Sequence, residues 1–177
     1  MTSYRQTDSR ASVATDPIRN FKFHVVIQDD DGSKSIPQLG FTSVAGLGVS
    51  IDPMPYQESG MNLSPHKMPL QADFSPVTFT RGIVVGHYDI YDWMRRVFEV
   101  MQGHAGNSAG SNFRHMVDIF AIQHPVTTQY AQYRAQWRLY NAWPGSIVFG
   151  DFDAAGNGVL LQTMTLYHEG FDFILDP

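Results

Sequence analysis

Apolar and polar residues alternate along much of this chain, a two-residue pattern that is typical of β-strands with one buried face. The clearest case is 21–28, where the apolar positions are Phe21, Phe23, Val25 and Ile27. Similar strand-like stretches follow at 40–51, 76–84, 113–123, 131–143 and 159–171. Gly46 and Gly48 interrupt the first of these and predict a bend or bulge there.

One segment follows a helical repeat instead. Its apolar positions recur at steps of three and four residues and are Tyr88, Tyr91, Met94, Phe98 and Met101. Asp89 and Asp92 lie in its first turn, where negative charge suits the helix dipole, and Gly103 follows its end. The pattern predicts one α-helix over about 88–102.

The order of these elements predicts the fold class. Because strands follow one another without alternating helices, we expect a mainly β protein, an antiparallel two-sheet sandwich or barrel with one flanking helix. The first 16 residues are rich in Ser, Thr and Asp and predict a flexible N-terminal arm before a single domain at 17–177. Within that domain, residues 53–69 hold four prolines, which predicts a long protruding loop or hairpin rather than a central strand.

The net charge of −5 argues against a surface built mainly to coat nucleic acid. Its distribution is uneven, since residues 144–177 contain five acidic residues and no lysine or arginine. Arginines gather elsewhere, at Arg95, Arg96, Arg114, Arg134 and Arg138. Separated charges of this kind suit head-to-tail contacts between copies, although accidental clustering on a solvated surface explains them equally well.

The chain offers little catalytic or ligand-binding chemistry. It contains no cysteine, no Gly-x-Ser-x-Gly motif and no pair of histidines at metal-binding spacing. Asp151 and Asp153 could hold a metal ion, but the next alternate position is Ala155, and Asn157-Gly158 favours a tight turn. The aromatic residues could line a flavin or nucleobase pocket, but their spacing favours core packing. We therefore predict no catalytic, cofactor-binding or metal-binding residues.

Targeting signals are also missing from the pattern. No apolar run reaches the length of a membrane-spanning helix, and the polar first residues lack the apolar core of a signal peptide. We expect no membrane insertion by this chain and no sequence-specific binding of nucleic acid.

Eight short motifs, in a fixed order, resemble those of one protein family. They are DPIRNF at 16–21, GFTSVAGL at 40–47, YQESG at 56–60, KMP at 67–69, PVTFTRG at 76–82, YDW at 91–93, WRLYNAWP at 137–144 and LYHEGF at 166–171. Together they resemble the tail-tube proteins of contractile phages and the inner-tube proteins of phage-derived contractile injection systems. The chain departs from that family at Ser59 and Leu70, where glycines are usual.

The resemblance implies a fold like that of the haemolysin co-regulated protein of type VI secretion. It also implies hexameric rings that stack into a hollow tube inside a contractile sheath, with no enzymatic activity and no cofactor. The partners it implies are further copies of the chain, the sheath protein, the baseplate or spike hub, the tail terminator, and a cargo, effector or tape-measure protein in the lumen. Assembly would take place in the bacterial cytoplasm, and the product would be a phage tail or injection particle.

The resemblance also suggests which residues make these contacts. We expect ring or stack contacts at Tyr56, Gln57, Glu58, Met61, Asn62, His66, Lys67, Asp151, Asp153 and Glu169. We expect a hydrated, lumen-facing row at Gln132, Arg134, Gln136 and Arg138, opposite a core-facing row on the same strand. Three alternatives stay open: a small ligand- or flavin-binding split barrel, a hydrolase centred on Asp151 and Asp153, and a secreted hexamer that carries effectors.

Overall fold

The computed structural model describes residues 18–28, 35–36, 40–57, 59, 64–86, 88–103, 113–122, 133–153 and 158–175. Within these ranges the chain forms ten strands and one helix. The strands are β1 (Phe23–Gln28), β2 (Ser35–Ile36), β3 (Ser43–Ala45), β4 (Val49–Tyr56), β5 (His66–Phe74), β6 (Val77–Gly82), β7 (His115–Ile122), β8 (Tyr133–Phe149), β9 (Leu161–Tyr167) and β10 (Gly170–Leu175); the helix is α1 (Asp89–Met101). The mainly β fold and the helix at about 88–102 are confirmed, whereas the proposed arm at 1–16 lies outside the described residues.

The long strand β8 joins two antiparallel sheets. The first half of β8 pairs with β7 on one side and with β10 on the other, and β1 and β2 follow beyond β7; we call these strands the first sheet. The second half of β8 pairs with β9, and β6 and β3 follow beyond β9; we call these strands the second sheet. A positive φ of 52° at Asn141 and a register shift between Pro144 and Ser146 mark the bend. Bends of this kind let one strand pass from sheet to sheet, and because the strand order does not close, the fold is an open sandwich rather than a barrel.

The core lies between the two sheets and follows the predicted alternation. Val25 and Ile27 of β1 are buried, as are Val77 and Phe79 of β6. They share one apolar cluster with residues of β7, β8 and β9, and with Ile90 and Trp93 of the helix. The period-2 pattern therefore predicted the burial of Val25 and Ile27 correctly, whereas Phe21, which the pattern places on the same face, is exposed.

Helix α1 closes one side of this core, but not with the residues that its repeat picks out. The buried residues are Ile90, Trp93, Met94 and Val97, and the indole Nε1–H of Trp93 donates to the Phe113 carbonyl oxygen at 2.7 Å. Of the predicted stripe only Met94 is buried, and the exposed members are Tyr88, Tyr91, Phe98 and Met101. The apolar arc of the helix is wider than the face that the sandwich covers, so one flank is left exposed.

The predicted separation of charge is partly cancelled inside the subunit. Arg114 forms an ion pair with Glu169 at 2.8 Å, and Arg138 forms one with the buried Asp118 at 2.8 Å. Arg95 pairs with Glu99 along the surface of the helix. Several of the clustered arginines thus meet acidic partners of their own chain.

Candidate assembly surfaces

The described residues of 53–69 belong mainly to the strands of a projecting hairpin. Strands β4 and β5 pair only with each other within the described residues and form a separate two-stranded sheet. Every residue of β4 is exposed, and so is every residue of β5 except Phe74. At the usual rise per residue β4 spans about 27 Å, so the hairpin reaches well beyond the sandwich. The hairpin interpretation of the proline-rich segment is confirmed.

Both faces of this hairpin carry apolar side chains. Met54 lies opposite Met68 and Tyr56 opposite His66 on one face, while Val49 and Ile51 lie on the other. The exposed fractions range from 39% at Met54 to 53% at Ile51. An isolated two-stranded hairpin is marginally stable in water, and exposed apolar patches of this kind mark interaction sites. The hairpin is therefore a candidate interaction surface.

The root of the hairpin is fixed by packing and by hydrogen bonds. The ring of Phe74 lies 5.7 Å from that of His168 and 6.0 Å from that of Phe171. Nε2 of His168 lies 3.1 Å from the Ser75 carbonyl oxygen, and the Ser75 N–H donates to the Gly48 carbonyl oxygen at 3.1 Å. The LYHEGF motif therefore contributes the seat of the hairpin, a role that its sequence alone did not indicate.

A glycine sets the direction in which the chain enters the hairpin. Gly46 has a φ of +96°, and a Cβ atom there would lie 2.3 Å from the Pro76 carbonyl oxygen. Only glycine combines this backbone conformation with so close an approach. The GFTSVAGL and PVTFTRG motifs thus meet at this point.

The expected contact residues divide into three groups. Tyr56, His66 and Lys67 lie exposed on the hairpin, with Gln57 just beyond β4. Those outside the described residues are Glu58, Met61 and Asn62. Asp151 and Asp153 lie exposed after β8, far along the chain from the hairpin, and the described residues contain no group of three potential metal ligands. The departures at Ser59 and Leu70 are both exposed, and Leu70 is accommodated within β5.

Glu169, also expected at a contact, holds its own subunit together. Its carboxylate accepts a hydrogen bond from Asn141 Nδ2 at 2.6 Å and pairs with Arg114, while its N–H donates to the Tyr140 carbonyl oxygen at 3.1 Å. These contacts tie β10 to the bend in β8. About half of the Glu169 side chain remains exposed, so it stays available to a neighbour as well.

The row of side chains on β8 that was expected to be hydrated is buried at its centre. Gln136 is only 5% exposed, and its side-chain amide donates to Oδ1 of the buried Asp118 at 2.9 Å. Arg138 donates to the same carboxylate through Nε at 2.8 Å and a terminal nitrogen at 3.2 Å, and this hydrogen bonding raises the arginine pKa. Gln136 is therefore buried in a polar network across β7 and β8 instead of standing on a wet surface. Gln132 lies outside the described residues.

A cleft of about 570 Å³ opens between the two sheets beside the residues that precede β1. Its lining is largely apolar and includes Phe23, Leu47, Trp137 and Phe173, together with Arg19 and Lys22.

No helix of the described residues is long and apolar enough to cross a membrane.

The described part of the chain is thus an open sandwich that carries an exposed apolar hairpin on a fixed root. The chain belongs to the family of the T4-like virus tail tube protein gp19, whose model matches residues 19–172. No curated protein sequence matches the chain.

Solved structures share the fold. A chain of the sheath-tube complex of the extracellular contractile injection system PVC, in its extended state, is 23% identical with a TM-score of 0.69, and the match covers 99% of each chain. A chain of the tube-terminating cap of the anti-feeding prophage is 24% identical with a TM-score of 0.68, covering 90% of this chain and 92% of that one. The Hcp1 protein of E. coli EAEC 042 is 10% identical with a TM-score of 0.52, covering 86% and 97%. The resemblance to a haemolysin co-regulated protein fold is confirmed.

Proposed function

We propose that this tail tube protein builds the inner tube of a contractile tail or injection particle, as hexameric rings stacked around a lumen. The observation that carries the proposal is the β4–β5 hairpin, whose apolar faces have no partner among the described residues of the subunit. Membership of the tail tube family supports it, as does the fold shared with a chain of a sheath-tube complex.

The hairpin suits a contact that repeats along an axis. When one patch on a subunit binds a different patch on the next copy, the contact produces a closed ring or an open filament, depending on its geometry. A tube of stacked rings requires one contact of each kind. The fixed root at Phe74 holds the hairpin in one direction before assembly, so less conformational entropy is lost when it docks. The hairpin therefore acts as an arm that reaches a neighbouring ring.

The remaining partners follow from the same proposal. Solved relatives come from a cap, a baseplate and a sheath-tube complex. For this chain we propose contacts with a sheath protein, a baseplate or spike hub, a tail terminator and a cargo, effector or tape-measure protein. The tube would assemble in the bacterial cytoplasm and have no catalytic activity or cofactor of its own.

The direct test is to shorten the hairpin. Replacing residues 53–69 with an Asn-Gly turn removes the outer part and keeps the root at Gly48, Phe74 and Ser75. We expect soluble, folded subunits or rings that no longer form tubes in negative-stain electron microscopy. Normal tubes from this variant would refute the role of the hairpin.

A pair of substitutions tests one hairpin face. Met54→Ser with Met68→Ser should raise the protein concentration needed for tube formation at least about tenfold, because burying two methionine side chains contributes about 2 kcal/mol. Met101→Ser on α1 is the matched control, since it makes the same chemical change at an exposed methionine away from the hairpin. An unchanged concentration for the methionine pair, with folding intact, would exclude that face.

A second candidate function rests on the cleft between the sheets. A small-molecule binding protein would be purified with a ligand bound near Trp137, would change its tryptophan fluorescence on ligand removal, and would stop at a finite oligomer. Tubes assembled from ligand-free protein would exclude this candidate.

A further inference from the structure

Methionine thioethers are the only sulfur groups of this chain, which contains eight methionines and no cysteine. Among the described residues, Met94 and Met164 are buried in the core, whereas Met54, Met68 and Met101 are exposed. The others are Met116, which is partly buried in β7, and Met1 and Met61, which lie outside the described residues. Oxidation of methionine follows its exposure, so an oxidant in solution reaches the two methionines on the hairpin and the one on the flank of α1 first.

The two hairpin methionines form a cross-strand pair. Met54 of β4 lies directly opposite Met68 of β5, and Tyr56 lies opposite His66 as the next pair on the same face. Side chains that face each other across an antiparallel pair have Cβ atoms about 4.5 to 5.5 Å apart, so the two thioethers are neighbours. We call Met54 and Met68 the methionine pair.

The free subunit leaves the methionine pair open to solvent. Met54 is 39% exposed and Met68 is 43% exposed, on strands that pair only with each other within the described residues. Pro53 and Pro55 flank Met54, and Pro69 follows Met68. Because each proline ring fixes φ of its own residue, the backbone around the pair has little freedom to turn the side chains away. The sulfur atoms are therefore accessible without any unfolding of the hairpin.

Peroxides oxidise an exposed thioether in one two-electron step. A lone pair of the sulfur attacks one peroxide oxygen, the O–O bond breaks, and the second oxygen takes up the proton of the first and leaves. With hydrogen peroxide the products are one methionine sulfoxide and one water molecule. The sulfoxide is polar and chiral where the thioether was apolar, and methionine sulfoxide reductases convert it back.

We propose that the methionine pair is an oxidation site that controls whether the hairpin docks on a neighbouring ring; the inference rests on the proposed function. In the reduced subunit the pair supplies two apolar side chains to the docking surface, and in the oxidised subunit it places two polar oxygens there. Burying a polar group without a hydrogen-bond partner opposes docking, so oxidised subunits should need at least about a tenfold higher concentration to form tubes. Docking covers the pair, so peroxide stops free subunits and spares tubes that already exist.

Hydrogen peroxide tests the site on the full chain. Subunits are treated, the peroxide is removed with catalase, and the sulfoxide at each methionine is measured by peptide mass spectrometry. Sedimentation gives the tube-forming concentration of the same sample before and after treatment. Met54→Leu with Met68→Leu, which we call the leucine variant, removes both sulfur atoms from the pair and keeps a similar apolar volume. Met101→Leu is the matched control, because it removes a sulfur atom from a side chain that is 79% exposed and lies away from the hairpin.

Peroxide should raise the tube-forming concentration of the original protein and of Met101→Leu at least about tenfold, in proportion to the sulfoxide at the methionine pair. For the leucine variant, the concentrations before and after peroxide should agree. Methionine sulfoxide reductases A and B should restore tube formation as they reduce the pair. In preformed tubes the pair should oxidise at least about tenfold more slowly than in free subunits, while Met101 oxidises at a similar rate in both.

Normal tube formation by subunits that carry sulfoxide at both positions of the pair would overturn the inference. Loss of assembly when the leucine variant is oxidised would do so too, as would equal oxidation of the pair in tubes and in free subunits. If the leucine variant forms no tubes even before peroxide, the reductases decide: tubes that return as the pair is reduced support the inference, and tubes that do not return overturn it. If the untreated original protein forms no tubes, the proposed function itself fails, and that outcome is recognised before peroxide is added.

Discussion

Gly46 offers the sharpest test of how the hairpin is held. Gly46→Ala introduces two separate costs, a side chain at a φ of +96° and a Cβ atom 2.3 Å from the Pro76 carbonyl oxygen. The carbonyl belongs to backbone next to Val77, which is fully buried, so it cannot move aside without disturbing the core. The strained backbone costs about 1 to 3 kcal/mol, and the forced displacement adds about 1 to 3 kcal/mol. We expect a total loss of about 2 to 6 kcal/mol in the free energy of unfolding.

Gly86 provides the matched control. Its φ is +93°, but a Cβ atom there meets nothing within 4 Å, so Gly86→Ala carries the backbone cost alone. Urea unfolding followed by tryptophan fluorescence measures both variants, and the difference between them isolates the contact with Pro76. We also expect Gly46→Ala to lose tube assembly under conditions in which it is still folded, since the hairpin leaves the sandwich at this point. Equal destabilisation of the two variants, within about 0.5 kcal/mol, would refute the reasoning.

Two further predictions follow from contacts on the second sheet and across β8. A Cβ atom at Gly145 would lie 2.2 Å from the ring of Tyr167, but that ring is half-exposed and can rotate away. Gly145→Ala should therefore lower the free energy of unfolding by less than Gly46→Ala does, about 1 to 2 kcal/mol in urea unfolding. A loss as large as that of Gly46→Ala would contradict this. Tyr140 donates its hydroxyl hydrogen to Asp172 at 2.8 Å, and this hydrogen bond raises the tyrosine pKa above 10.0. Because the pKa of Tyr140 is higher in the folded state, the stabilisation from this hydrogen bond is fully present below the unfolded pKa and is lost as pH rises through the folded pKa. Titration followed by ultraviolet absorbance should show the pKa of Tyr140 moving to lower pH in Asp172→Asn. The control Asp151→Asn should leave it unchanged.

The strands and the helix were predictable because their patterns are local. Alternation along β1 and β6 reports which side chains leave water, and burial at Val25, Ile27, Val77 and Phe79 agrees with it. The prolines at 53–69 were also informative, since they excluded a central strand and left a projecting loop or hairpin.

Other features depend on partners far away in the chain. The repeat of α1 is apolar over a wide arc, and only the sandwich decides that Trp93 is buried and Phe98 is not. On β8, Gln136 and Arg138 follow a polar alternation, but the carboxylate that organises them comes from β7.

Sequence by itself determined the mainly β class, the helix, the exclusion of cysteine chemistry and, through its ordered motifs, the family. Tertiary structure alone decided that the motifs meet at the root of the hairpin, and that Arg81 of β6 is buried with its Nε–H donated to Gln162 Oε1. The physical reason is that periodicity records how each residue relates to its own strand or helix. Contacts such as Phe74 with His168, and Gly46 with Pro76, exist only once separate strands have been brought together.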